Sequence, residues 1–228
     1  VAWYLSVQAF LYAIFPWLLA VLKKTDTRRL RCIAAAIFCA QCFFSLAIWK
    51  AGLSGKAVFY LTYLCPLFRA GDFAISCCMG CLYHSRKEER IPYGAFSLLE
   101  LAAVLFSGGC FFIAARQVGA LGAVAFRYNV LFTPSAVLLV WLLAVGKGVI
   151  SRLLSAKPFL WLAGLSPYGF LIHQVLIRYM ELAANKLGLT AHPVVWTLTV
   201  FLLTLCLSSF YKALEHRVRK RHAKAAAR

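Results

Sequence analysis

The chain has 228 residues, 63% of them apolar, and a mean hydropathy of +0.78. Soluble domains use about 45–50% apolar residues, so this composition excludes an ordinary water-soluble fold and indicates an integral membrane protein. The formal charge of +18 would suit nucleic acid, but the cations sit in short clusters between apolar runs, with no stacking platform beside them. That is the pattern of membrane topology signals, and no nucleic-acid partner is expected.

The first apolar run, residues 3–22, is of bilayer length and carries Ser6, Gln8 and Tyr12 in its first half. It opens almost at once on Val1, without an initiating Met or a charged leader, so the sequence reads as the C-terminal part of a longer one. A strongly basic turn, 23–31, leads to a second predicted helix over 32–49 and then a mixed loop over 50–63. The third helix, 67–83, is entered through Pro66 and carries Arg69 and Asp72 in its first turns. A charged hairpin, 84–92, separates it from the fourth, 93–115, whose Glu100 is read as reaching the interface. A glycine-containing connection, 116–128, follows. The fifth helix, 129–145, takes Pro134 near its start, where a missing amide donor costs least. After a basic interfacial turn, 147–158, the sixth helix runs over 159–184, interrupted by Gly164, Pro167 and Gly169. The seventh spans 193–214. The expectation is therefore an all-α, polytopic membrane bundle of about seven transmembrane helices over 1–214, with a basic, frayed cytoplasmic tail over 215–228.

Lys and Arg on alternate loops count 18 against 6, with Arg178 left inside a helix, and the bias holds at every loop. By the positive-inside rule this places the first residues outside a cell membrane and the tail in the cytoplasm. The nine cysteines lie almost entirely in apolar segments, where Cys acts as a small hydrophobe. Cys39/Cys42 and Cys78/Cys81 have CxxC spacing but lack an accompanying His ligand, so no metal is expected.

With this topology Ser6, Gln8, Arg69, Asp72, His173, Arg178 and Glu181 all fall toward the outer leaflet, where lipid exposure would be costly; a cavity open to that side would shelter them. Each also has a plainer reading. Arg69 and Asp72, spaced i,i+3, can pair at a helix start; Arg178 and Glu181 can pair or snorkel; His173 can be a packing residue. Ser6 has no general base beside it in sequence and is not read as a nucleophile.

Four segments resemble one family. Trp3-x-Leu5-Ser6-Val7-Gln8-x3-Tyr12-x2-Phe15-Pro16 is similar to the W-S-L-S-x-E-x-x-x-Y-x-x-F-P signature of the membrane-bound acyltransferase 3 family. Pro66-Leu67-Phe68-Arg69-x2-Asp72-Phe73 with Gly80 resembles its P-L-x-R-x-x-x-F and the small-residue helix that follows. Leu165-Ser166-x2-Gly169-Phe170-Leu171-Ile172-His173-Gln174 resembles its S-x-x-x-Y-L-I-H segment, and Tyr211-x3-Glu215 its Y-x-x-x-E ending. The four occur in the family's order, near its spacings, over almost the whole chain.

The resemblance implies an integral membrane enzyme of about ten helices. It would move an acyl group, often acetyl, from cytoplasmic acyl-CoA to a hydroxyl of a cell-envelope glycan, lipid-linked sugar or secreted metabolite. Acyl-CoA would be a co-substrate, with no bound cofactor; the partners are the donor, the hydroxyl-bearing acceptor and the bilayer. The family's R-x-x-A-x-x-x-V motif and the His held to be its base do not occur here, so the main base is expected upstream. Gln8 stands where the family has Glu, and Phe170 where it has Tyr; Gln keeps the hydrogen-bonding shape but cannot take a proton at neutral pH. On this reading Arg69 and His173 are expected in supporting catalytic roles, and Trp3, Ser6, Gln8, Tyr12, Asp72, Ser166 and Arg178 in substrate binding. The basic turns at 23–31 and 147–157 either attract the CoA phosphates or only set topology. Two other classes compete: an exporter of polysaccharide or lipid-linked sugar, which would move substrate without consuming acyl-CoA, and a truncated remnant or structural subunit, which would do neither.

Overall fold

A computed structural model describes residues 2–85, 92–116, 124–188 and 192–226. The described residues are helical, with short turns and no strand. The helices are α1 (Ala2–Leu22), α2 (Thr27–Lys50), α3 (Gly55–Phe59), α4 (Pro66–Ser85), α5 (Tyr93–Arg116), α6 (Val124–Arg127), α7 (Thr133–Val145), α8 (Val149–Leu154), α9 (Lys157–Ala163), α10 (Ser166–Leu187) and α11 (Pro193–Ala226). Pro66 and Pro193 open α4 and α11, and α7, α9 and α10 each carry Pro at the second position. There a missing amide hydrogen costs little and a fixed φ suits the helix.

Every apolar run expected from the sequence forms a helix. Among the described residues, five spans are long and apolar enough to cross a membrane: Trp3–Leu22, Thr27–Lys50, Gly55–Ser85, Tyr93–Arg116 and Pro193–Lys220. The pair Lys157–Ala163 and Ser166–Leu187, bent by 57°, makes a sixth if it is one span. The remaining run, α7, has 13 residues, about 20 Å of helix against a hydrocarbon core of about 30 Å. Large apolar side chains line the outside of these helices: Trp17 is 71% exposed, Phe43 73% and Leu98 68%. Buried positions include polar groups instead, among them Gln41, Ser45, Thr62, Glu100 and Asn129. An apolar exterior around a partly polar interior is what a lipid solvent selects, and this is a membrane protein.

At three connecting segments the structure is more helical than the sequence expectation. The basic turn at 23–31 is largely the start of α2, capped by Asp26, whose side chain accepts from the Arg29 amide at 3.4 Å. The mixed loop at 50–63 is mostly helical: Ser54 caps α3, and a π-helical turn, Tyr60–Leu64, joins α3 to α4. The interfacial turn at 147–158 contains α8. The interruption expected at Gly164 in the sixth helix is present, as a break at Gly164 and Leu165. Much of the charged hairpin at 84–92 and of the connection at 116–128 lies outside the described residues.

The contacts divide the chain into two compact units, Ala2–Leu153 and Leu154–Arg228. In the first, Leu22, Leu30 and Cys78 cluster where α1 ends, α2 begins and α4 approaches its end. Phe96, Ala103 and Leu142 join the first half of α5 to the last turns of α7. Thus α1, α4 and α7 run in one direction and α2 and α5 in the other. In the second unit α10 and α11 pack along their length, with Gly169 close to Thr204 and Ser208. The α11 backbone continues as helix past Glu215 to Ala226.

Glu100 does not reach an interface. It is fully buried, and its carboxylate accepts from the amides of Gly148 (3.2 Å), Ile150 (2.8 Å) and Ser151 (3.3 Å), so it seats the start of α8. Nearby, Ser97 Oγ accepts from the Val149 amide at 3.2 Å.

Candidate active site

The π-helical turn before α4 sets the first element of the site. Cys65 N–H reaches back to the Tyr60 carbonyl at 2.8 Å, one residue further than an α-helical bond. The Tyr63 carbonyl accepts from Arg69 Nε at 2.9 Å, and the Arg69 guanidinium lies over the Tyr63 ring at 4.8 Å. Trp3 packs on the other side of this aromatic group, 4.9 Å from Tyr63, while Phe59 and Tyr128 complete it at 5.0 and 5.6 Å.

From this seat one Arg69 Nη donates to Asp72 Oδ2 at 3.1 Å and to Asn129 Oδ1 at 3.4 Å. Asp72 Oδ1 accepts from Gln41 Nε2 at 3.2 Å and has Thr133 Oγ1 at 3.3 Å. The Thr133 hydroxyl, with a single proton, also faces Asn129 Oδ1 at 3.3 Å and Asn129 O at 3.4 Å. Gln41 Nε2 further donates to the Phe68 carbonyl at 3.1 Å. Four elements therefore meet at one carboxylate: α2, α4, the turn carrying Asn129, and α7. The Arg69 and Asp72 side chains are only 19% and 25% exposed, a depth at which an unpaired charge would be costly. Asn129 Nδ2 and Gln41 Oε1 are buried without a hydrogen-bond partner among the described residues, leaving a donor and an acceptor unspent.

This cluster heads a cavity of about 470 Å³ between α4 and α7. Asp72, Asn129, Thr133 and Ser76 line the polar end, and Ile75, Met79, Phe132, Val137 and Val140 the apolar body. At the far end Tyr83 Oη donates to the Ala144 carbonyl at 2.8 Å, and the Tyr83 and Trp141 rings meet edge-on at 6.0 Å. Because α4 and α7 run in parallel, the slot follows both from Asp72 to Tyr83 and from Thr133 to Ala144, about 16 Å at 1.5 Å per residue. Gly71 backs the polar end: a Cβ there would lie 2.6 Å from Gln41 Nε2. Gly71→Ala is expected to push Gln41 off Asp72 and reduce acyl transfer by about tenfold, since sub-ångström misplacement at a reacting centre is expensive. Rates measured at equal protein content, with an unchanged gel-filtration profile, check this.

A second cavity, about 570 Å³, lies between α1, the start of α2 and the end of α4, and shares Ser76 and Gly80 with the slot.

The other expected site residues are less concentrated. Gln8 is half-buried and Ser6 exposed on α1, and Tyr12 is 63% exposed; the side-chain amide that donates to Asp72 is that of Gln41. In the second unit, Ser166 opens α10 and is exposed, as is Arg178. His173 is half-buried, with Nδ1 3.0 Å from the Gly169 carbonyl. A carbonyl only accepts, so in the neutral ring Nδ1 carries the proton and Nε2 keeps its lone pair. Glu215 accepts from the Tyr168 hydroxyl and pairs with Arg219. The partner of the Y-x-x-x-E glutamate that the structure shows is thus Tyr168, on the neighbouring helix.

Sequence reading missed Gln41, Tyr63, Asn129, Thr133 and Tyr168. Gln41 carried a signal, an amide in the middle of an apolar helix, and Asn129 and Thr133 carried another in their i,i+4 spacing.

No curated protein and no solved structure matches the chain significantly. The family described as an acyltransferase domain matches residues 1–212, nearly the whole length, a range that includes the segments around Ser6, Arg69 and His173. This membrane chain therefore belongs to the acyltransferase 3 family, whose members are O-acyltransferases.

Proposed function

We propose that the chain acts in transfer of an acyl group, acetyl in the simplest case, from acyl-CoA to a hydroxyl of a cell-envelope glycan, lipid-linked sugar or metabolite. The observation that carries this reading is a charged and amide-bearing head on an otherwise apolar, 16 Å-scale slot. An extended donor arm with a thioester at its tip fits such a slot. In this reading the arm lies between α4 and α7, with the thioester carbonyl at the head. Arg69, paired with Asp72 at 3.1 Å and not itself among the slot's lining residues, lends positive charge to the head as the carbonyl oxygen becomes an oxyanion, and Asn129, which lines it, brings the amide. Asp72 fixes the guanidinium, and Gln41 and Thr133 fix Asp72. In the second unit, taken by itself, His173 keeps a lone pair on Nε2 that can accept a hydrogen bond from a hydroxyl.

The excess of Lys and Arg supports an orientation with the α1–α2 turn and the end of α11 in the cytoplasm of a cell membrane. The far end of the slot then faces the cytoplasm, and Ala144 lies three residues before Lys147, the first cation of a basic stretch suited to the CoA phosphates.

The test uses membranes containing the protein, given acyl-CoA labelled in the acyl group. The expected result is CoA release matched by label in alkali-labile esters of envelope material. Membranes that release no CoA above those lacking the protein would sink the reading, and movement of glycan without CoA release would favour an exporter.

A further inference from the structure

The second cavity has a composition that acyl transfer leaves unused. Its body is apolar, built by Phe15, Leu19 and Leu22 of α1, Leu30 of α2, and Cys77, Gly80 and Cys81 of α4. Its rim is polar: Lys23, Thr25, Asp26, Thr27, His84 and Ser85. Asp26, the acid on that rim, is engaged by Arg29, whose Nε is 3.3 Å from Oδ1 and whose amide donates to Oδ2 at 3.4 Å. Among the described residues the remaining rim charge is therefore cationic, with Lys24 on the same turn and Arg28 and Arg31 in the first turns of α2. The cavity opens where α1 and α4 end and α2 starts, at one end of three membrane-length helices. A greasy shaft below a cationic, hydroxyl-bearing rim at this depth matches one chemistry, an acyl chain joined to a phosphate at the headgroup level.

We infer that this cavity is a binding site for an anionic phospholipid, with the phosphate at Lys23, Thr25, Thr27 and His84 and one acyl chain along Leu19 and Leu22 toward Gly80. The site is separate from the Arg69–Asp72 cluster and does not depend on the acyl-transfer reading. Its inner end reaches the helix turn, Ser76 to Gly80, that also walls the slot.

Lys23 lines the cavity and the adjacent Lys24 does not, which gives a charge-matched control. The whole protein would be reconstituted in vesicles of phosphatidylethanolamine and phosphatidylglycerol in equal amounts, extracted in mild detergent, and examined by native mass spectrometry. The expected result is one retained phosphatidylglycerol on the wild-type protein and on Lys24→Glu. Retention falls about tenfold in Lys23→Glu, given the contribution of each cation near an anionic lipid. It also falls in Leu19→Trp, which fills the shaft while keeping every charge. Equal losses in Lys23→Glu and Lys24→Glu would overturn the site in favour of diffuse surface attraction. Equal retention of phosphatidylethanolamine would overturn the anionic assignment. Displacement by free CoA or inorganic phosphate, with Leu19→Trp unaffected, would overturn the lipid in favour of a soluble phosphate.

Discussion

Replacing Arg69 by Ala is expected to reduce acyl transfer by about 10²-fold or more, the usual cost of removing a preorganised donor from a developing oxyanion. Two effects add. In the proposed reading the head of the slot loses its positive charge, and Asp72, three-quarters buried, loses its counter-ion. Breaking a buried pair by removing one member costs about 3–5 kcal/mol, and the residual exposure of both groups puts the stability loss at the lower end. Arg69→Lys separates the two. A lysine keeps the charge but cannot donate at once to the Tyr63 carbonyl, Asp72 and Asn129 in the planar geometry seen here. It should therefore recover most of the stability and little of the activity. Rates at matched protein content, with thermal unfolding in detergent alongside, check both; an Arg69→Ala protein that transfers acyl groups at the wild-type rate would falsify the assignment.

The second large effect is expected away from the reacting centre. At Gly148 a Cβ would lie 2.2 Å from Glu100 Oε2 and 2.3 Å from Cδ. Glu100 is completely buried and fixed by three amides, so it has nowhere to go. Gly148→Ala should expel the carboxylate and strand the Ile150 and Ser151 amides, the Gly148 amide keeping Ser151 Oγ at 3.2 Å, and destabilise the first unit by roughly 2 kcal/mol or more, at about 1–3 kcal/mol for each unsatisfied buried group. Glu100→Ala strands the same amides and should behave alike. Shortening the acid relieves the clash, so the pair Gly148→Ala with Glu100→Asp should regain part of the loss. Unfolding temperatures of the three variants decide the matter, and a fully stable Gly148→Ala protein would show that the carboxylate seat contributes little.

Much of this architecture could be read from residue order alone, because bilayer length and cation bias are local properties. The i,i+3 pair of Arg69 and Asp72 was legible for the same reason: both partners lie on one helix turn. Gln41, Asn129 and Thr133 were not, since their value depends on being brought to Asp72 from 31, 57 and 61 residues away along the chain. No periodicity encodes that meeting. The stretch at 50–63 looked like a loop because lysine, glycine and aromatics alternate without a clear period, yet Ser54 caps a helix there and a π turn frees a carbonyl for Arg69. Glu100 was misjudged for a related reason: a carboxylate two turns into a membrane helix suggests an escape to water, and only the fold reveals amides inside. The family segment around His173 was legible as a pattern, but that Glu215 answers Tyr168 rather than Tyr211 depends on how α10 and α11 pack.

The seat of Glu100 also sets an order of events during synthesis. α5 carries an acid whose amide partners begin 48 residues later in the chain, a delay on the order of 2–10 s at 5–20 residues per second. Until α8 has been made, the Glu100 carboxylate on α5 has none of the amides that it accepts from in the folded chain. The closure of α8 over α5 is therefore a late checkpoint in assembly, and it comes after α7, the wall of the slot, has already been made.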